Sequence, residues 1–97
     1  MALEVRLTPG ARRDIASIYD WTAGKFDLAQ GDRYALELSE AIEFLAENPG
    51  LARDASGIRA GLLKHFSGSH VVYLRVSKTV LTVFRILHGN MDAGRWM

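Results

Sequence analysis

Two side chains near the end of the sequence have the chemistry of a nuclease or of a phosphate-binding site. Arg85 and His88 lie in the stretch VFRILHG, residues 83–89, where the chain should leave its last strand. Cleavage of single-stranded RNA needs a base for the 2′-hydroxyl, a proton donor for the leaving oxygen, and cations for the charge that develops on the phosphate. Arginine and histidine supply these functions, so the pair is the first candidate for a catalytic site.

The spacing of the pair argues against a shared site. Arg85 and His88 are an odd number of positions apart, and side chains on a regular strand alternate between its two faces. They meet only if the strand ends before His88. The other histidines, His65 and His70, add no metal-ligand spacing, and the chain has no cysteine. We therefore predict no catalytic residue, no metal and no cofactor.

Length and composition indicate one small globular domain. The chain has 97 residues, of which 48% are hydrophobic and 24% are charged, enough for one modest core. We expect residues 1–97 to form a single domain. No apolar run approaches the roughly 20 residues that span a bilayer, and the N-terminus lacks the apolar core of a signal peptide. A cytoplasmic location without membrane contact is expected.

Charge is distributed unevenly along the chain. Residues 1–54 hold six Lys or Arg against ten Asp or Glu, whereas residues 55–97 hold six against one. A basic surface in the second half would suit an acidic partner, either protein or nucleic acid. The alternative is that the two halves neutralise each other across the fold.

The first half of the sequence predicts a strand and a helix hairpin. LEVRL, residues 3–7, alternates apolar and charged side chains. Thr8 and Pro9 are typical of a helix start, and Asp27 with Gln30 is a capping pair for a second helix. The apolar stripe of the first helix comprises Ala11, Ile15, Ile18 and Thr22.

The second helix separates an apolar face from an acidic one. Its apolar face comprises Gly31, Tyr34, Ala35, Leu38, Ala41, Ile42 and Leu45. The acidic face comprises Glu37, Glu40, Glu43 and Glu47. No histidine or cysteine accompanies these glutamates, so a solvated face is favoured over a metal or acid–base site.

Three strands are predicted after the helices, near residues 61–66, 70–76 and 80–87, with tight turns between them. Tight turns make neighbouring strands antiparallel. The fold class is therefore α+β, with an N-terminal strand and an antiparallel helix hairpin packed on a mainly antiparallel sheet of about four strands.

Pairing of the last two strands predicts which side chains share a face. An even number of residues in the turn places even positions of one strand with odd positions of the next. The face beneath the helices would then hold Val72, Leu74, Val76, Leu81, Val83 and Leu87, on the same side as His70 and Arg85. The opposite face would hold Val71, Tyr73, Arg75, Val80, Thr82, Phe84 and Ile86, with His88. This half-apolar face is a candidate docking surface, unless flanking segments or a second copy cover it.

Several segments together resemble a known family. LAENPGLAR at 45–53, IRAGLLKHFSGSHVVYLRV at 58–76 and RILHGNMD at 85–92 resemble the ParE toxins of the RelE/ParE superfamily of bacterial toxin–antitoxin modules. The resemblance covers essentially the whole chain. It implies a RelE/ParE-like fold and a toxin held inactive, as a hetero-oligomer, by a ParD-type antitoxin.

The resemblance also implies two alternative targets. ParE toxins with an assigned target usually poison DNA gyrase, whereas RelE-like relatives cleave messenger RNA on the ribosome. RelE-like nucleases carry clustered basic residues, tyrosine or histidine on the sheet and C-terminal segment. Here no tyrosine follows Tyr73, which favours the ParE branch, a binding inhibitor without direct contact to nucleic acid. The nuclease remains the alternative.

Two sets of binding residues follow from the resemblance and the strand pattern. The antitoxin typically wraps an amphipathic, acid-containing segment round the toxin, which suits the half-apolar sheet face. The expected antitoxin-binding residues are Val71, Tyr73, Arg75, Phe84 and Ile86. The expected target-binding residues are His88, Met91, Asp92, Arg95 and Trp96.

Overall fold

The computed structural model describes residues 2–97. The elements are β1 (Glu4–Leu7), α1 (Pro9–Lys25), α2 (Leu28–Glu47), a 3-10 turn (Pro49–Leu51), β2 (Arg53–Asp54), β3 (Leu63–Ser67), β4 (His70–Val76), β5 (Val80–His88) and α3 (Ala93–Trp96). No helix in this part of the chain is long and apolar enough to cross a membrane.

The strands form one sheet in the order β1-β5-β4-β3-β2. β1 runs parallel to β5, and all other neighbours are antiparallel. The α+β class and the helix hairpin on a mainly antiparallel sheet are confirmed. The sheet has five strands rather than four, because Arg53 and Asp54 pair with the start of β3.

Both helix starts are confirmed. The Thr8 hydroxyl accepts the N–H of Ala11 at 3.1 Å and donates to the carbonyl of Phe84 at 2.6 Å. The N-cap of α1 therefore also ties this helix to β5. Asp27 caps α2 by accepting the N–H of Gln30 at 2.8 Å.

The hairpin of α1 and α2 packs on one face of the sheet and forms the helix-side core. Its buried members are Ala11, Ile18, Leu38, Ile42, Leu45, Ala46, Val72, Leu74, Leu81, Val83 and Ile86. A smaller cluster on the other face, the second-face core, consists of Ala55, Leu62, Val71, Tyr73, Leu87 and Ala93.

A β-bulge at Phe84 changes the pairing of β4 with β5. Leu74 pairs with Val83, but Tyr73 pairs with Arg85, so Phe84 is the extra residue. Two residues on the bulged strand then oppose one on its partner, and the alternation of side chains shifts by one position. The side chains that face the helices as predicted are Val72, Leu74, Val76, Leu81 and Val83.

Beyond the bulge, the predicted faces of β5 are wrong. Ile86 was expected on the docking face, yet it lies in the helix-side core and is 2% exposed. Leu87 was expected beneath the helices, yet it lies in the second-face core. His88 pairs with His70, which was expected on the side opposite to it. The physical reason is the same for all three residues: the strand does not alternate regularly through Phe84.

Candidate functional site

Arg85 is held by a carboxylate on α1. Its Nε donates to Asp14 at 2.7 Å and its Nη2 donates to the other carboxylate oxygen at 2.9 Å. The N–H of Ile86 donates to Asp14 at 2.8 Å. The pKa of Arg85 is raised, chiefly by the hydrogen bond to Asp14, while burial opposes the rise. This arginine is a fixed cation rather than a proton donor.

A groove of about 270 Å³ opens beside this pair, at the junction of α1, β5 and the C-terminal segment. We call it the arginine rim. Its lining residues are Thr8, Gly10, Arg13, Arg59, Phe84, Arg85, Trp96 and Met97. Three guanidinium groups and two aromatic rings in one groove suit an amphipathic partner that carries carboxylates.

The C-terminal segment is tied to the rim through backbone carbonyls. Arg85 Nη1 donates to the carbonyl of Trp96 at 2.7 Å, and Arg59 donates to that of Met97 at 2.9 Å. The Trp96 side chain is still 51% exposed. Asp92 caps α3 by accepting the N–H of Gly94 at 3.1 Å. Of the residues expected to bind the target, Met91 is partly buried against the second-face core, and Arg95 is exposed.

The face that was expected to dock a partner is largely covered by the chain itself. Val71 and Tyr73 are 5% and 7% exposed beneath Ala55, Leu62 and Ala93. Flanking segments therefore cover much of this face, which was the alternative considered from the sequence. The role of Val71 and Tyr73 in antitoxin binding remains a prediction.

Arg75 and Phe84 stay accessible at the margin of this face. The guanidinium of Arg75 stacks 5.4 Å from the centre of the Phe84 ring and donates to the carbonyl of Ala60 at 2.7 Å. Its Nε is buried and has no hydrogen-bond partner. Both side chains are half-buried, so a carboxylate from a partner can approach this guanidinium.

A second concave site, the histidine cleft, lies between α1 and the β4–β5 pair. It has a volume of about 350 Å³ and is lined by Ser17, Ile18, Trp21, Ser69, His70 and His88. The centres of the His70 and His88 imidazole rings are 5.4 Å apart, and the planes of the two rings meet at 81°. Arg85 lines the arginine rim and His88 lines the cleft, so the two residues singled out from the sequence belong to different sites.

His70 is the more constrained of the two histidines. Its Nδ1 lies 2.6 Å from the hydroxyl of Tyr34. The pKa of His70 is lowered, first by burial and then by the charge of His88. His88 Nδ1 accepts the N–H of Asn90 at 3.1 Å. Within residues 2–97, no group of three or more His, Cys, Asp or Glu side chains is arranged to hold a metal ion.

Close ion pairs between the acidic and basic halves are few in residues 2–97. In the described part of the chain only Glu4–Arg6 and Asp14–Arg85 form ion pairs. The first pair is local, and the second joins a carboxylate of the first half to an arginine of the second half. Glu40, Glu43 and Glu47 on α2, and Arg13 at the rim, have no ion-pair partner within 4.0 Å in the described part of the chain.

The most important residue that the sequence interpretation missed is Asp14. Its signal was present, because positions 11, 14, 15 and 18 share one helical stripe and Asp14 is the carboxylate on it. A carboxylate on a buried stripe requires a cation or several donors nearby. Arg59 and Arg13 were also missed as rim residues, and no local pattern marks them.

A family model described as "ParE toxin of type II toxin-antitoxin system, parDE" matches residues 5–93. This chain belongs to the ParE toxin family. Toxin ParE1 of Caulobacter vibrioides is 38% identical over 88 residues, which cover 91% of each protein. Toxin ParE1 of Mycobacterium tuberculosis is 34% identical over 96 residues, which cover 98% of each. The resemblance stated from the sequence is confirmed.

Two solved structures share the fold of this ParE family member. The chromosomal ParDE toxin–antitoxin system from P. aeruginosa contains a chain that matches with a TM-score of 0.78 at 15% identity, covering 90% of this chain and 96% of that one. The toxin–antitoxin complex RelBE2 from Mycobacterium tuberculosis matches with a TM-score of 0.71 at 20% identity, covering 91% and 99%. At these identities the likeness concerns the fold alone.

Proposed function

We propose that this ParE family member is a toxin that binds and inhibits DNA gyrase in the cytoplasm and is neutralised by a ParD-type antitoxin. The observation that carries the proposal is the arginine rim, which combines exposed cations with the rings of Phe84 and Trp96. This surface is built for contact with a macromolecule, since cations and aromatic side chains are typical binding anchors. Inhibition is by binding and not by chemistry.

The antitoxin would use the basic side of the sheet. Its acidic residues would pair with Arg59, Arg75 and Arg13, and its apolar residues would cover Phe84 and Trp96. Val71 and Tyr73 would support this surface from beneath instead of contacting the antitoxin directly. Folding of the antitoxin tail would accompany binding, so apolar burial would supply most of the affinity and the charges would set orientation.

The target would use Trp96 at the rim together with Arg95 and the exposed end of β5. The exposed residues that carry this role are His88, Arg95 and Trp96, with Asp92 and Met91 holding α3 in position. Because Trp96 also lines the arginine rim, an antitoxin bound there would exclude the target. Neutralisation then needs no conformational change in the toxin. Gyrase as the target rests on the family resemblance.

The second candidate is ribosome-dependent cleavage of messenger RNA. The observation that favours it is the pair of imidazoles in the histidine cleft, 5.4 Å apart, which could act as base and acid. No Lys or Arg lines this cleft among the described residues. A phosphate in the cleft would therefore lack the cation that stabilises its developing charge, and the binding inhibitor is preferred.

Expression without an antitoxin distinguishes these functions. We expect growth arrest with a DNA-damage response and with intact messages. Messages should stay intact with the wild type, with His88→Ala and with His65→Ala, which is the matched control. Message cleavage that disappears only in His88→Ala would favour the nuclease. Normal growth on expression of folded protein would exclude both functions.

A further inference from the structure

One of the two edges of the sheet, formed by β1, lies along the acidic helix. β1 is the terminal strand and pairs only with β5. Glu4 and Thr8 donate their N–H groups to the carbonyls of Thr79 and Val83 next to or on β5. Since backbone groups alternate along a strand, Val5 and Leu7 direct their N–H and C=O groups to the free edge.

This edge is open for only part of its length. The N–H of Leu3 is already bonded to the carbonyl of Ala46 at the end of α2, at 2.9 Å. From Val5 onward no other strand pairs with it in the described part of the chain. Val5 is 36% exposed. An exposed edge with an apolar side chain is a template for an added strand.

Two grooves meet beside this edge. One, of about 240 Å³, is lined by Ala2, Leu3, Val5, Glu43, Ala46 and Glu47. The other, of about 450 Å³, is lined by Leu36, Ser39, Glu40, Glu43, Phe44 and Glu47. Both contain Glu43 and Glu47, so they form one continuous surface, which shares no lining residue with the arginine rim.

The exposed side chains of this surface indicate its occupant. Leu36 and Phe44 are 58% and 50% exposed on the outer side of α2. Glu40, Glu43 and Glu47 lie between and beside them, and none has a cation within 4.0 Å in residues 2–97. A partner that covers these apolar groups must also offset three carboxylates, so it must be basic.

We propose that this surface binds an extended basic segment of another protein, which adds to β1 as a sixth strand. Its backbone pairs with Val5 and Leu7, and alternate side chains, Lys or Arg, meet Glu43 and Glu47. Because this surface is separate from the arginine rim, the toxin can hold a basic partner here while an acidic antitoxin occupies the rim.

A second copy of the chain is the competing occupant. Antiparallel pairing of two β1 strands about Val5 would set Glu4 opposite Arg6 of the other copy, which is favourable. The same arrangement would bring Glu43 and Glu47 of both copies to the shared edge, on the helix side. Four carboxylates without cations oppose this dimer, and a basic strand removes that repulsion.

The probe is a fluorescent, end-blocked heptapeptide of alternating lysine and valine, added to the purified full chain. Fluorescence anisotropy should show saturable binding, and backbone NMR shifts should concentrate in β1 and in residues 36–47. The same peptide with glutamate in place of lysine should not bind. Equal binding of both peptides would overturn the proposal, as would shifts confined to the arginine rim.

Two variants separate the backbone contribution from the charge contribution. Val5→Pro removes the outward N–H, and proline is tolerated at such edge positions, so binding should be lost while the fold persists. Glu43→Gln with Glu47→Gln should weaken binding about ten-fold, as expected for two exposed ion pairs. Glu37→Gln on the same helix is the control and should leave binding unchanged.

If Val5→Pro does not fold, the double glutamine variant decides the question by itself. Unchanged peptide binding in that variant would overturn the proposal. Sedimentation without peptide tests the competing occupant: a concentration-dependent dimer that Val5→Pro abolishes would assign this edge to a second copy of the chain and would also overturn the proposal. A monomer throughout supports a heterologous partner.

Discussion

The carboxylate of Asp14 bonds at once to the guanidinium of Arg85, at 2.7 and 2.9 Å, and to the backbone N–H of Ile86, at 2.8 Å. It thereby occupies the edge of β5 that β1 leaves open after Leu7. Together with the Thr8 hydroxyl on the carbonyl of Phe84, it satisfies the backbone at the bulge. Helix α1 is thus the element that fixes the arginine rim.

Removal of this carboxylate should destabilise the protein. Asp14→Ala leaves the guanidinium of Arg85 and the N–H of Ile86 without their acceptor. We expect the free energy of unfolding to fall by about 2 kcal/mol, the scale of hydrogen bonds to charged groups. Urea unfolding measures this, with Asp20→Ala, exposed on the same helix, as the control. Equal effects of the two substitutions would contradict the role given to Asp14.

The bulge makes Ile86 a core residue. Ile86→Ala should lower the free energy of unfolding by about 3 kcal/mol, because the side chain is 2% exposed in the helix-side core. Phe66→Ala, at a residue 52% exposed on β3, should cost under about 1 kcal/mol. Urea unfolding of both variants is the measurement. A small effect of Ile86→Ala would contradict the buried position of Ile86 and would favour the exposed position that regular alternation predicts.

Stability should depend on pH through His70. Burial and the charge of His88 lower the pKa of His70 below its ordinary value of 6.5, so the unfolded chain binds the proton more tightly than the folded chain. The contribution of His70 to stability is therefore complete above pH 6.5 and declines as the pH falls through the pKa of the folded state.

Unfolding at several pH values, together with NMR titration of the imidazole, tests this dependence. The decline as the pH falls below about 6.5 should be smaller in His70→Asn, which removes the titrating group. An NMR pKa for His70 at or above 6.5 in the folded protein would contradict the assigned environment.

Charge reversal at the arginine rim should weaken antitoxin binding. Arg13→Glu together with Arg59→Glu reverses two exposed cations that line the rim. We expect association to become slower and the dissociation constant to rise about ten-fold or more, with a weaker dependence on salt. Arg33→Glu, exposed on α2, is the matched control. Equal losses at both places would indicate a non-specific charge effect.

Features that depend on neighbours in the sequence were predicted well. The caps at Thr8 and Asp27, the helix hairpin and the three-strand meander follow from patterns within a few residues, and the structure has all of them. The faces of β4 and of β5 up to Val83 were also predicted, because regular alternation applies there.

The predictions that were wrong depend on contacts between residues that are distant in the sequence. Phe84 becomes a bulge where Thr8 and Asp14, more than 70 positions earlier, bond to the backbone of β5. Residues 55–62 and α3 cover Val71 and Tyr73, and no local pattern shows that they return to the sheet. The candidate binding surface therefore lies at the margin of the second face, whereas the sequence placed it at the centre of that face.

The most direct test of the central claim is the supercoiling activity of purified DNA gyrase in the presence of this protein. The account predicts dose-dependent inhibition that a ParD-type antitoxin relieves at equal concentration, and weaker inhibition by Trp96→Ala. Folded protein that binds the antitoxin but leaves supercoiling and the level of gyrase–DNA cleavage complexes unchanged would contradict it.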